Sequence, residues 1–233
     1  MATAGGAVGP AAAGPDPPGR WPALLWLGLA TLLAMTTWFS ATAVVPQLQQ
    51  DWSLSTTASA SLTLAVQLCF VAGALVSAVG NLADLLPPTR LLLIGALGAA
   101  ACNAALRLAS SSAQALPLRF LTGAFLAGVY PPALKQMATW FRVGRGIALG
   151  LMVGALTLGS AMPHLVNRLG GAQWPVVIAT TSLLTVIGGI IAATRVPDGL
   201  FPIPAARFDP RKIRLVVTDR GTRLASLGYF GHM

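Results

Sequence analysis

The chain contains no glutamate, and all six of its acidic residues are aspartates, set against 15 lysines and arginines. Charged residues make up 9% of the 233 positions, where a soluble domain carries about 25%. So few charges cannot cover a water-facing surface, which excludes an ordinary soluble domain and makes lipid the solvent. The chain has only two cysteines and two histidines. Cys69 and Cys102 both lie inside apolar runs, a placement that fits neither a disulfide framework nor a metal centre. There is no Gly-Lys-Ser/Thr phosphate loop, so an ATP-driven pump is not expected, and no cofactor is implied. Ser160 and His164 share a helix face four residues apart. Hydrolase chemistry also needs an oxyanion hole and a fixed mutual geometry, so no enzyme is read from them.

What the chain has instead is hydrophobicity, 55% of its residues. The net charge of +9 falls mainly between apolar runs rather than along one stripe, which matches loops at a membrane face and not a nucleic-acid surface. Residues 1–20 are Ala, Gly and Pro with almost no large apolar side chain, and are expected to form a disordered cytoplasmic tail. Residues 21–194 hold six apolar runs, each near the ~20 residues needed to cross a ~30 Å core. They are Ala23–Val45, closed by Pro46; Thr57–Val79, with Ser55 as N-cap; Leu91–Leu108; Ala115–Ala138, with Pro117 in its first turn; Ile147–Val166; and Pro175–Thr194. Residues 195–223 form a basic, proline-containing loop, and 224–233 read as the cut-off start of a seventh span, so the chain is expected to be a fragment.

Arginine and lysine set the orientation. With the N-terminus in the cytoplasm, Arg20, Arg90, Arg142, Arg145, Arg195 and the loop cations share one face, while Arg107 and Arg168 lie at the other. That asymmetry is the positive-inside pattern. The Ala, Gly, Pro and Arg bias points to a GC-rich genome and so to a bacterial inner membrane.

Several side chains stand out. Arg119 lies in the fourth run, where a charge at membrane depth costs at least ~2.5 kcal/mol and must face a cavity or a partner, or snorkel outward. Facing the path, it would favour a small anion as solute. Gln67, Trp38 and His164 are further candidates for a solute path, each with helix–helix packing as its plain alternative; Phe39, Asn103 and Ser160 are read the same way. Lys135 is placed at the inner headgroups or, less simply, at a substrate. Pro131 and Pro132 should bend or end the fourth run. Gly146, Gly150 and Gly154 recur every four residues, a spacing that lets helix backbones approach closely.

Two motifs then carry a resemblance. Gly80-Asn81-Leu82-Ala83-Asp84-Leu85-Leu86-Pro87-Pro88-Thr89-Arg90 follows the second run, and Arg119-Phe120-Leu121-Thr122-Gly123 lies in the fourth. On the second and fourth of six spans, these are similar to the G-x-L-a-D-r-x-G-r loop and the R-x-x-x-G pattern of the major facilitator superfamily. The chain from about residue 20 onward resembles the N-terminal half of such a transporter. The loop departs from the family at Leu85, Pro87, Pro88 and Thr89, where basic residues and a second glycine are expected.

The resemblance implies an all-α membrane protein: six transmembrane helices as two inverted three-helix repeats, half of a twelve-helix fold. It implies alternating access for a small-molecule solute, with membrane lipid and the missing C-terminal six-helix half as partners. It makes Gly80, Asp84 and Arg90 a cytoplasmic latch, Asp84 otherwise being a solvated loop acid, and Gly123 a packing glycine. The drug-antiporter form carries Gly-Pro in the fifth span where this chain has Gly154-Ala155, and a nitrate-type porter would carry an arginine in Thr57–Val79, which has none. The competing class is a truncated, non-transporting scaffold or sensor module.

Overall fold

The computed structural model describes residues 17–170, 173–201, 218–224 and 227. Among them there is no strand, and nine α-helices follow in order between Arg20 and Arg195: α1 Arg20–Ala34, α2 Val45–Trp52, α3 Thr56–Val79, α4 Leu82–Leu85, α5 Pro88–Ala105, α6 Ser112–Leu126, α7 Tyr130–Ala138, α8 Arg145–Gly170 and α9 Trp174–Arg195. The expected tail at residues 1–20, the basic loop at 195–223 and the start of a further span at 224–233 fall largely outside the described residues. In the short stretch that is described near the C-terminus, Asp219 accepts from the Thr222 N–H at 2.7 Å and its hydroxyl at 2.8 Å. Those bonds hold the Asp219 carboxyl below the usual carboxylate range.

Among the described residues, four helices are long and apolar enough to cross a membrane: α3, α5 with its terminal turn to Leu108, α8 and α9. A fifth crossing results if Arg20–Thr37 and Thr42–Trp52, bent by 49°, count as one broken span. At 1.5 Å per residue, the 24 residues of α3 reach about 36 Å. Ser55 caps α3, its side chain accepting from the Ala58 N–H at 3.2 Å, which satisfies one of the free donors at a helix start.

Prolines sit elsewhere in the helices than their sequence positions predict. Pro46 does not close the first run; it lies in the first turn of α2, and the chain stays helical to Trp52. The break comes earlier, at Trp38–Ala41, between two short 3-10 turns. Pro131 and Pro132 likewise open α7, and the interruption precedes them at Ala127–Val129. The reason is shared: a first-turn residue has no intrahelical partner for its N–H, so proline costs nothing there. Pro117 shows the reverse, because α6 starts at Ser112 and places it inside the helix.

The packing order runs α3, α6, α5, α9, α1, α8. Within the spanning windows 44% of α5 and of α9 is buried but only 22% of α3, so α5 and α9 form the centre and α3 and α8 the flanks. Glycines set the closest approaches. A Cβ on Gly123 would run into the Val66 backbone of α3, one on Gly159 into the Leu32 backbone of α1, and one on Gly188 would lie 2.6 Å from Ala30 O and Ala34 N. The stripe Gly146, Gly150 and Gly154 behaves differently from the expected ridge. Nothing lies within 4 Å of where a Cβ would stand at any of the three, and all are exposed. The face they open is unfilled among the described residues because α8 turns its other side, Ala148, Met152 and Ala155, into the bundle.

This contrast is testable. Gly123→Ala should destabilise the bundle by about 1–3 kcal/mol through overpacking, seen as a lower midpoint in thermal unfolding of the solubilised protein. Gly150→Ala should leave the midpoint unchanged or raise it, since alanine is the better helix former by about 0.5–1 kcal/mol.

Candidate functional site

The break in the first span frees backbone carbonyls that a continuous helix would have bonded. Inside a bilayer each unsatisfied group costs several kcal/mol, so donors must be brought to them. Arg119 supplies these. Its Nη2 donates to Trp38 O at 2.6 Å, its Nη1 to Thr37 O at 3.1 Å, and its Nε to Leu62 O of α3 at 3.5 Å. Nη1 also meets Ser40 Oγ and Asn103 Oδ1, both at 3.2 Å. The side chain is fully buried. A planar guanidinium with five donors in a fixed fork suits this task, as a lysine ammonium would not.

A second tier of polar groups lies behind the arginine. The Ser40 hydroxyl is 2.5 Å from Asn103 Oδ1 and 3.0 Å from Thr37 O, and its single proton serves one of them at a time. Asn103 Nδ2 donates toward α9, to Ser182 Oγ at 2.9 Å and to Ile178 O and Thr181 Oγ1 at 3.3 Å. Thr36 Oγ1 donates to Leu33 O at 2.8 Å or Thr181 O at 2.9 Å and lies 3.1 Å from Thr185 Oγ1. Ser40, Asn103, Arg119, Thr181 and Thr185 are all buried. Sequence reasoning passed over Ser40, Thr36 and the α9 hydroxyls. Their signal was the spacing of Thr181, Ser182 and Thr185 on one face of an otherwise apolar run.

Of the expected path residues, Arg119 and Trp38 are brought together, through the Trp38 carbonyl. The Trp38 ring is half-buried and meets Phe70 edge-on at 4.8 Å and Phe39 at 6.3 Å. Gln67 is half-buried on α3, one residue after the Val66 backbone that Gly123 touches. His164 is exposed on α8, and its neighbour Ser160 donates to Thr157 O at 2.9 Å instead of to the histidine. In the latch loop, Gly80 and Arg90 are exposed and Asn81 takes a left-handed conformation. The Asp84 side chain lies outside the described residues.

Each end of the bundle is tied. At the basic end the segment after α9 crosses the C-terminus of α7. Gln136 Nε2 and Trp140 Nε1 donate to Pro197 O at 2.8 and 3.3 Å, and the Phe201 N–H donates to Thr139 O at 3.0 Å. At the opposite end Trp174 Nε1 donates to Asp51 Oδ2 at 2.7 Å, and Asn167 Nδ2 donates to Ala43 O at 2.7 Å. Between α1 and α8 runs an open groove of about 530 Å³, lined by residues such as Leu25, Gly28, Leu29, Gly150, Gly154 and Leu158. No charged side chain lines it.

The sequence has relatives. Residues 27–231 match the family profile described as Major Facilitator Superfamily. The chain is 31% identical over 211 residues to the multidrug efflux pump LfrA of Mycolicibacterium smegmatis, an alignment that covers 87% of this chain and 40% of that protein. The chain thus spans well under half the length of that relative. On the profile match over most of its length, this integral membrane protein belongs to the major facilitator superfamily, a family of transporters.

Proposed function

We propose that the chain is the N-terminal six-helix half of a secondary transporter that moves a small organic solute across a bacterial inner membrane by alternating access. Six crossings result if α1 with α2 and α6 with α7 each form one broken span beside α3, α5, α8 and α9, giving two inverted three-helix repeats. The N-terminus is then cytoplasmic and the basic end faces inward, as the arginine distribution favours. Lipid and a second six-helix half are the partners, with the solute path between the halves. Gly80, Asp84 and Arg90 keep their proposed role as a cytoplasmic latch.

The observation that carries the solute reading is the uncharged groove between α1 and α8. It is a surface for apolar or amphipathic molecules. The lean toward an anion rests on an arginine facing the path, whereas all three guanidinium nitrogens of Arg119 donate to acceptors inside the bundle. That support for an anion is therefore withdrawn. Likeness to a multidrug efflux pump points the same way as the groove, despite Ala155 standing where drug antiporters carry proline. No observation favours a non-transporting scaffold or sensor.

Two experiments follow. The whole protein, reconstituted in proteoliposomes with an imposed ion gradient, should move fluorescent amphipathic dyes and leave a panel of inorganic anions behind. Gly150→Leu with Gly154→Leu should cut dye transport about tenfold or more at unchanged thermal midpoint. Anion transport without dye transport would overturn the solute class, and no movement of any solute would overturn the transporter reading. Separately, Arg119→Lys should lower the thermal midpoint, because each carbonyl left without a donor costs about 1–3 kcal/mol. It should depress transport of all solutes alike. A loss confined to anions, at an unchanged midpoint, would return Arg119 to the path.

A further inference from the structure

Asn103, like Arg119, joins its own helix to three others in the buried polar cluster. It stands on α5, fully buried. Its Oδ1 receives Ser40 from the α1 break at 2.5 Å and Arg119 from α6 at 3.2 Å, while its Nδ2 is directed at Ile178, Thr181 and Ser182 of α9. The amide has one orientation that fits. Turned over, it would set an NH₂ against the guanidinium and an oxygen against the Ile178 carbonyl, leaving buried donors and acceptors facing their own kind.

We propose that Asn103 is a positioning residue for Trp38. The break at Trp38–Ala41 contains neither glycine nor proline, so its shape depends on the bonds made to its carbonyls and to Ser40. Phe39 O and Ala41 O are taken by the N–H groups of Ala43 and Val44, and the guanidinium edge of Arg119 reaches the other two points, Trp38 O and Ser40 Oγ. Nη2 holds Trp38 O, and Nη1, on the same plane, is held in turn by Asn103 Oδ1. A planar fork cannot rotate one nitrogen without moving the other. Losing the Asn103 oxygen therefore loosens the grip on Trp38 O, and it also takes the acceptor from Ser40, the second anchor of the same break. The indole is carried by that backbone and meets Phe70 of α3 edge-on at 4.8 Å. Asn103 thus sets the aromatic wall from the helix pair α5 and α9. That Trp38 lines the solute path rests on the functional reading above.

The test reads position without requiring transport, so it can fail while the functional reading stands. Protein labelled with 5-fluorotryptophan is examined by fluorine NMR in lipid nanodiscs, with the Trp38, Trp140 and Trp174 resonances assigned by their loss in single Trp→Phe variants. Asn103→Leu should shift or broaden the Trp38 resonance and leave those of Trp140 and Trp174 in place. Asn103→Asp, which keeps an oxygen toward Arg119, should hold Trp38 closer to its parent position. Ser40→Ala removes one anchor of the break with little change in volume and should shift Trp38 in the same direction as Asn103→Leu, so it decides the matter if the leucine variant does not fold. A Trp38 resonance that stays put in Ser40→Ala and in folded Asn103→Leu overturns the proposal. So does a common shift of all three tryptophans, which would mark Asn103 as general packing.

Discussion

A guanidinium without a carboxylate is the constraint on which this bundle depends. Burying a cation in a low-dielectric interior is expensive unless its donors are used. The described spans offer Arg119 no acid, so the counter-charge is assembled from dipoles: two carbonyls of the broken first span, one from α3, a serine hydroxyl and the Asn103 amide oxygen. The break and the arginine explain each other. An unbroken α1 would have no carbonyls to give, and a break without Arg119 would leave Trp38 O bare in an apolar medium and Thr37 O served by Ser40 alone. Because the acceptors belong to three different helices, the register of α1, α3 and α5 against α6 is set by one side chain.

Close backbone approach is the second constraint, and it follows from the medium. Lipid tails are as apolar as leucine, so helices gain little from burying hydrophobic area against one another and more from fitting together tightly. Gly123 against Val66, Gly188 against Ala30 and Gly159 against Leu32 supply that fit at three interfaces. The same composition on the opposite side of α8 meets nothing. A glycine run therefore has no packing role of its own. It permits an approach, and whether the approach happens depends on what else is present.

This difference marks what was legible in the sequence. The continuous spans α3, α5, α8 and α9 were readable because length and hydropathy are local properties. The broken ones were misjudged at their breaks, since proline marks a helix interruption and a helix first turn equally well, and Pro46, Pro131 and Pro132 took the second role. The actual break at Trp38–Ala41 carries no local signal, because a tertiary contact sustains it. Arg119 was recognisable as an intramembrane charge that needed a partner. Its direction was not, because backbone carbonyls are acceptors that every sequence has and none displays. Asn103 was visible only as one polar residue in an apolar run; its weight comes from standing where four helices meet.

The buried cluster also bears on how such a half could move. Arg119 and Asn103 tie α1, α3, α5, α6 and α9 into one hydrogen-bonded unit, and pulling any of them away would expose charged or amide groups to hydrocarbon. The segment after α9 adds a tie at the basic end through Gln136, Trp140 and Pro197, and Asp51 with Trp174 adds one at the other. An element pinned at its middle and at both ends resists internal deformation. Motion is then cheapest where nothing polar would be uncovered, along the apolar outer face of α3 and the open glycine face of α8. Those faces could slide against a partner without breaking a buried hydrogen bond. Under the proposed alternating-access function, the polar core is the condition for rocking as a body: rigidity inside the bundle confines movement to its surface.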